Sequence, residues 1–186
     1  MNPTKPMSEP TSEIAARIAE VSLLHGDFTL RSGLKSNYYL DKYLFSTQPE
    51  ILKELGRMFA ERIPAGTDRL AGAELGGIPL VTAASIESGL PSVFIRNARK
   101  DYGTAKQLEG TVNPGEKIVV LEDVATTGGQ VLEAVAVLRE TGAEVTGVIA
   151  TIDRFSGARE NIEAAGLAFD ALFTVHDLGV VDSSES

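Results

Sequence analysis

An α/β fold, with a mostly parallel sheet flanked by helices, is predicted by three observations. Strand-like apolar runs alternate with helical patterns along most of the chain. The run at 118–121 (Ile-Val-Val-Leu) is continuously apolar, as a strand buried on both faces should be. Two junctions between a strand and a helix carry paired glycines, Gly76-Gly77 and Gly128-Gly129.

The elements follow in order. Ile14, Ile18, Val21 and Leu24 recur at helical spacing, so a helix is expected over 13–26, stopped by Gly26. Residues 28–30 and 38–40 are short strands around a Ser32-Gly33 turn. Ile51, Leu52, Leu55 and Phe59 share one face of a helix over 49–62, and Pro64-Ala65-Gly66 ends it. Leu70 and Ala71 open a strand that runs into the first glycine turn. A helix over 78–88 and a strand over 92–95 come next. Residues 96–110 are polar and without period, and Glu109 is read as a solvated acid. Strand 117–122, helix 130–140, strand 145–152, helix 156–165 and a strand near 170–175 complete the pattern. Residues 1–12 hold three prolines and no apolar core, which predicts a disordered tail and no signal peptide. Residues 182–186 are expected to fray.

Composition narrows the function. Net charge is −9, which disfavours a nucleic-acid partner because that requires a basic footprint. No apolar run approaches the roughly 20 residues of a membrane span. With no cysteine there is no disulfide or thiol chemistry, and a cytoplasmic location is expected. His25 and His176 are isolated from each other and are read as structural.

The most informative stretch is 118–130. Its strand is followed by Glu122 and Asp123, then by Val124, Ala125, Thr126, Thr127, Gly128, Gly129 and Gln130, and a helix starts at once. Glycines let the backbone approach an anion, amides at the helix start point at it, and threonine hydroxyls add donors. Carboxylates repel phosphate, so their presence beside the loop suits a sugar phosphate whose hydroxyls donate to them. No Gly-Lys-Ser/Thr closes the loop, so it is not a Walker motif. The second turn, Glu74, Leu75, Gly76 and Gly77, offers amides for a second anion. Residues 96–106 hold four basic residues, Arg96, Arg99, Lys100 and Lys106, against one acid. A cationic loop on an anionic protein, placed after a strand of this sheet, is expected to be a lid over pyrophosphate.

The 118–130 segment resembles the phosphoribosyl pyrophosphate (PRPP) motif of type I phosphoribosyltransferases. Residues 28–39, Phe-Thr-Leu-Arg-Ser-Gly-Leu-Lys-Ser-Asn-Tyr-Tyr, resemble the N-terminal signature of the orotate phosphoribosyltransferases, and the Arg-x-x-x-Lys-x-x-Gly lid resembles that family's catalytic loop. The similarity runs from about residue 13 to 176. It implies one phosphoribosyltransferase domain over 13–181, with a small N-terminal hood and a flexible catalytic loop. It implies transfer of ribose 5-phosphate from PRPP to orotate, with Mg2+ held mainly through PRPP and no direct protein ligands. It also implies a homodimer whose lid reaches the neighbouring site.

Residue by residue, the resemblance implies that Arg31, Arg96, Arg99, Lys100 and Tyr102 contact PRPP, together with Glu122, Asp123 and 124–130. Lys100, Asp123 and Glu122 are the implied catalytic residues. Tyr39, Leu40, Thr126 and Arg154 are implied to hold orotate, and Glu74, Leu75, Gly76 and Gly77 to form the pyrophosphate loop. Tyr38 is assigned to the core. Asn97, Tyr102 and Gly76 depart from the basic or histidine residues often found at those places, and Arg99 and Lys106 are candidates to compensate in charge. A phosphoribosyltransferase for another base, and a PRPP-binding regulator on the same fold, stay open as alternatives.

Overall fold

The computed structural model describes residues 9–29, 35–97 and 107–180. Helix α1 (Glu9–Ser22) leads into strands β1 (Leu23–Thr29) and β2 (Lys35–Leu40), which pair antiparallel as a separate two-stranded sheet. This is the hood. The first helix ends before the expected residue 26 because Leu23 and Leu24 pair with Leu40 and Tyr39 instead of continuing the helix. It begins at Glu9, inside the segment expected to be a tail.

Helices α2 (Lys42–Ser46) and α3 (Pro49–Arg62) follow, then β3 (Arg69–Ala73), α4 (Gly77–Ser88), β4 (Ser92–Ile95), β5 (Leu108–Glu109), β6 (Lys117–Ala125), α5 (Gly129–Arg139), β7 (Glu144–Asp153), α6 (Ala158–Ala164) and β8 (Ala168–Thr174). A 3-10 turn, Val175–Leu178, follows β8. Short α2, β5 and this turn were not expected from the sequence.

The main sheet has the order β5-β4-β3-β6-β7-β8, parallel except for the β4–β5 pair. Its strands are apolar on both faces because both are covered. On one side Leu70, Val119 and Leu121 pack with Ile18, Phe45, Leu55, Phe59 and Leu80. On the other, Ala71, Ile118, Val120 and Val148 pack with Val131, Val135, Leu138 and Ile162. Among the described residues no helix is long and apolar enough to cross a membrane.

The chain passes from β3 to β4 on one side and returns with β6 on the other. This reversal leaves a crevice at the carboxyl ends of β3 and β6, where ligands of open parallel sheets bind. Both glycine turns lie there.

Candidate active site

Strand β6 runs on to Ala125, so Glu122 and Asp123 sit within it and not beyond its end as expected. Glu122, Val124 and Ala125 continue the parallel register opposite Ala150, Ile152 and Asp153. The loop 126–128 then turns the chain into α5. Gly128 has φ +77°, and a Cβ there would sit 3.2 Å from Ile162 Cγ1, so glycine is required. No side chain caps α5. Its first-turn amides are therefore left for a ligand, beside the exposed Thr126 and Thr127. Asn161 Nδ2 donates to Thr127 O at 2.9 Å and holds the loop in place.

The two acids are buried, Glu122 at 9% and Asp123 at 1% exposure. Asp123 N–H donates to Glu122 Oε1 (3.0 Å), and Val124 N–H to Asp123 Oδ1 (2.6 Å). Burial, reinforced by the neighbouring Asp123 charge, pushes the Glu122 pKa well above the usual carboxylate range. Lys42 Nζ donates to Asp123 Oδ1 at 3.2 Å. It also lies 2.9 Å from Oδ2, as an ion-pair approach without hydrogen-bond alignment. Burial pulls the Lys42 pKa down, but the Asp123 and Glu122 charges outweigh it and the net shift is upward. Sequence reasoning missed Lys42, because a single lysine opening a five-residue helix carries no pattern.

Lys42 and Glu122 line a cleft of about 750 Å3 together with Tyr39, Leu40, residues 124–131, Arg154 and Ser156. Arg154 lies just past β7, its N–H bonded to Ala125 O at 3.0 Å. Its Nη2 donates to Tyr38 Oη at 3.0 Å, and the guanidinium lies 5.4 Å from the Tyr38 ring centroid. Tyr38 is thus half-buried against Arg154 and not the core residue expected. Arg154 Nε is a buried donor without a partner. Tyr39 is 45% exposed, and its ring lies 5.6 Å from that of Phe28.

The second turn adjoins this cleft without lining it. Gln130 Nε2 donates to Glu74 O (3.3 Å) and Asn97 Oδ1 (3.1 Å), and Asn97 N–H donates to Glu74 Oε1 (2.7 Å). These bonds join the turn, the base of the 96–106 segment and the start of α5. The Glu74–Leu75 peptide is cis, and Leu75 is 63% exposed. Arg96 Nη1 lies 3.7 Å from Glu109 Oε1, so Glu109 has a cationic partner where a solvated acid was expected. Arg31, Arg99, Lys100, Tyr102 and Lys106 lie outside the described residues. His176 stacks on Phe155 at 5.2 Å and lies 3.0 Å from Val180 O through Nδ1, a structural role. A second cavity, about 350 Å3, lies near Arg62, Lys117 and Asp170, at the opposite ends of the strands.

The arrangement can hold one phosphate on α5, sugar hydroxyls on the acids, and a planar anion on Arg154. A family model described as a phosphoribosyl transferase domain matches residues 45–165. The chain is 48% identical over 153 residues to an orotate phosphoribosyltransferase of Methanocella arvoryzae, covering 82% of this chain and 87% of that one. It superposes with a TM-score of 0.81 on Mycobacterium tuberculosis orotate phosphoribosyltransferase crystallised with Fe(III) dicitrate. That match is 32% identical and covers 91% of this chain and 99% of the other. The same mycobacterial enzyme in complex with PRPP aligns at a TM-score of 0.77 and 30% identity, with 91% and 99% covered.

Proposed function

Because this chain belongs to the orotate phosphoribosyltransferases and carries their phosphoribosyl transferase domain, we propose the reaction that family name describes. Ribose 5-phosphate passes from PRPP to N1 of orotate, giving orotidine 5′-phosphate and pyrophosphate, a step of de novo UMP biosynthesis. The observation that carries this reading is one cleft shared by the uncapped α5 terminus, Glu122 and Arg154.

The 5′-phosphate sits on the first-turn amides of α5 and the hydroxyls of Thr126 and Thr127. Glu122 and Asp123 accept hydrogen bonds from the ribose hydroxyls. The base lies against Tyr39 and Leu40, and its carboxylate takes the unpartnered Arg154 Nε–H and an Nη–H as a fork, with Thr126 adding a donor. Arg31, Arg96, Arg99, Lys100 and Tyr102 serve the pyrophosphate, with the amides of 74–77. Arg96 must leave Glu109 to do so.

The C1–O bond breaks with its electron pair leaving on pyrophosphate, and N1 bonds C1 as its proton passes to an oxygen of the departing pyrophosphate. Positive charge develops on the ribose and negative charge on the leaving group. Stabilising both is an electrostatic task that needs no nucleophilic side chain. Closure of 96–106 excludes water and protects PRPP from hydrolysis.

Mg2+ suits this site through PRPP oxygens and water. Asp123 is already engaged by Lys42, and among the described residues no group of three or more acids or histidines could cage a metal. Bound with PRPP, Mg2+ would supply neutralisation of charge on the pyrophosphate. A homodimer in which the lid serves the neighbouring site, and a cytoplasmic location, complete the proposal.

Arg154→Ala tests the base assignment. Efficiency with orotate should fall about a hundredfold through loss of a charged hydrogen-bonding fork, with PRPP binding retained. Unchanged efficiency with orotate would contradict the assignment.

A further inference from the structure

The Asp123 side chain lies at 1% exposure beside a second acid, Glu122. A buried carboxylate is costly unless paired. Its cation comes from far away in sequence: Lys42 is 81 residues distant. The lysine is delivered by a short, well-anchored piece of backbone. Asp41 N–H bonds Ser22 O at 2.9 Å, the Asp41 carboxylate accepts the Tyr43 N–H at 3.1 Å, and α2 begins at Lys42. The lysine side chain is 33% exposed and lines the cleft that Glu122 also lines.

A third element closes the arrangement. An ideal Cβ at Gly76 would stand 1.6 Å from Asp123 Oδ2. The turn after β3 has no side chain at the one place where the carboxylate lies. The start of α2 beside the hood, β6 and the β3–α4 turn therefore meet on one carboxylate.

We propose that Lys42 is a positioning residue of the sugar-phosphate site, fixing the Asp123 carboxylate from the hood side in the space that Gly76 leaves open. Resting on the reading of the cleft as a PRPP site, it gives the hood a part in ribose recognition as well as in covering the base. With the ammonium gone, the Asp123 carboxylate loses its orienting partner and its hold on a ribose hydroxyl.

The test is calorimetric titration of wild type, Lys42→Met, Lys42→Arg and Gly76→Ala with PRPP and Mg2+, alongside steady-state kinetics. Lys42→Met keeps the apolar stem and should weaken PRPP binding at least tenfold, with the KM for orotate within about twofold of wild type. Lys42→Arg should recover most of the loss. Gly76→Ala leaves Lys42 in place but displaces Oδ2, and should show the same PRPP-selective loss. Wild-type PRPP affinity in Lys42→Met would overturn the inference. So would equal weakening of PRPP and orotate together with a lowered melting temperature, the mark of a lysine that only fastens the hood. Absence of PRPP binding in wild type would overturn the site reading itself, and this inference with it.

Discussion

Glu122 is held where its charge is disfavoured, and that sets a measurable pH dependence. Burial and the Asp123 charge raise its pKa from 4.5 to about 8. Between those values the folded chain binds more protons than the unfolded one, so stability falls as pH rises through the window. Glu122→Gln removes that fall. Ligand-free Glu122→Gln should match wild type near pH 5 and melt higher than it near pH 8.5, while losing PRPP affinity; parallel melting curves at both pH values would contradict the burial argument. Such residues were only partly legible in the sequence. Glu122, Asp123, Thr126 and Thr127 stand together in a motif whose chemistry shows in its order. Lys42, Tyr38 and Asn97 reach the site only through folding, Lys42 meeting Asp123 and Tyr38 meeting Arg154 across 116 positions. No local pattern marks a residue whose partner is that distant.

The elements best read from sequence had a strong period and a clear terminator. Helix α3 matches its expected span, with Pro49 in its first turn and Ile63 following Arg62. Helix α4 begins one residue early and is closed by Gly89 in the left-handed conformation. Elements decided by tertiary pairing were misjudged. β6 outruns its apolar run because β7 lies alongside it, and β5 has two residues and exists through its bond to β4. Pairing between elements also carries a pH signature. Arg69 at the start of β3 bonds Glu116 just before β6, at 2.8 and 3.0 Å, with both side chains largely covered. That guanidinium, then the Asn113 N–H and side-chain amide, lower the Glu116 pKa to about 2. The lowered value gives stability present above about 4.5 and lost as pH falls toward 2. Glu116→Gln should cost about 1–2 kcal/mol at pH 7 in denaturant unfolding. The deficit should shrink toward pH 2, and a deficit constant with pH would refute it.

At the scale of the whole molecule, strand order positions the site. β3 and β6 diverge in their connections, and the turns that follow them open onto one crevice. The α/β class and this location were legible, because continuous apolar strands alternating with helices leave few other arrangements. The hood's grip on the sheet was not. Besides the apolar packing of Ile14, Ile18 and Leu40, it uses two contacts between residues far apart in sequence, Tyr38 with Arg154 and, from α2, Lys42 with Asp123. Lys100→Ala should lower turnover about a hundredfold or more, with the KM for orotate little changed; full turnover in that variant would remove Lys100 from the mechanism.

The most direct test of the proposed reaction mixes the purified chain with orotate, PRPP and Mg2+, following the loss of orotate absorbance together with pyrophosphate release. The decay should require PRPP and Mg2+, with one pyrophosphate formed per orotate consumed. An unchanged absorbance from a protein that nevertheless binds PRPP would contradict orotate as the acceptor base.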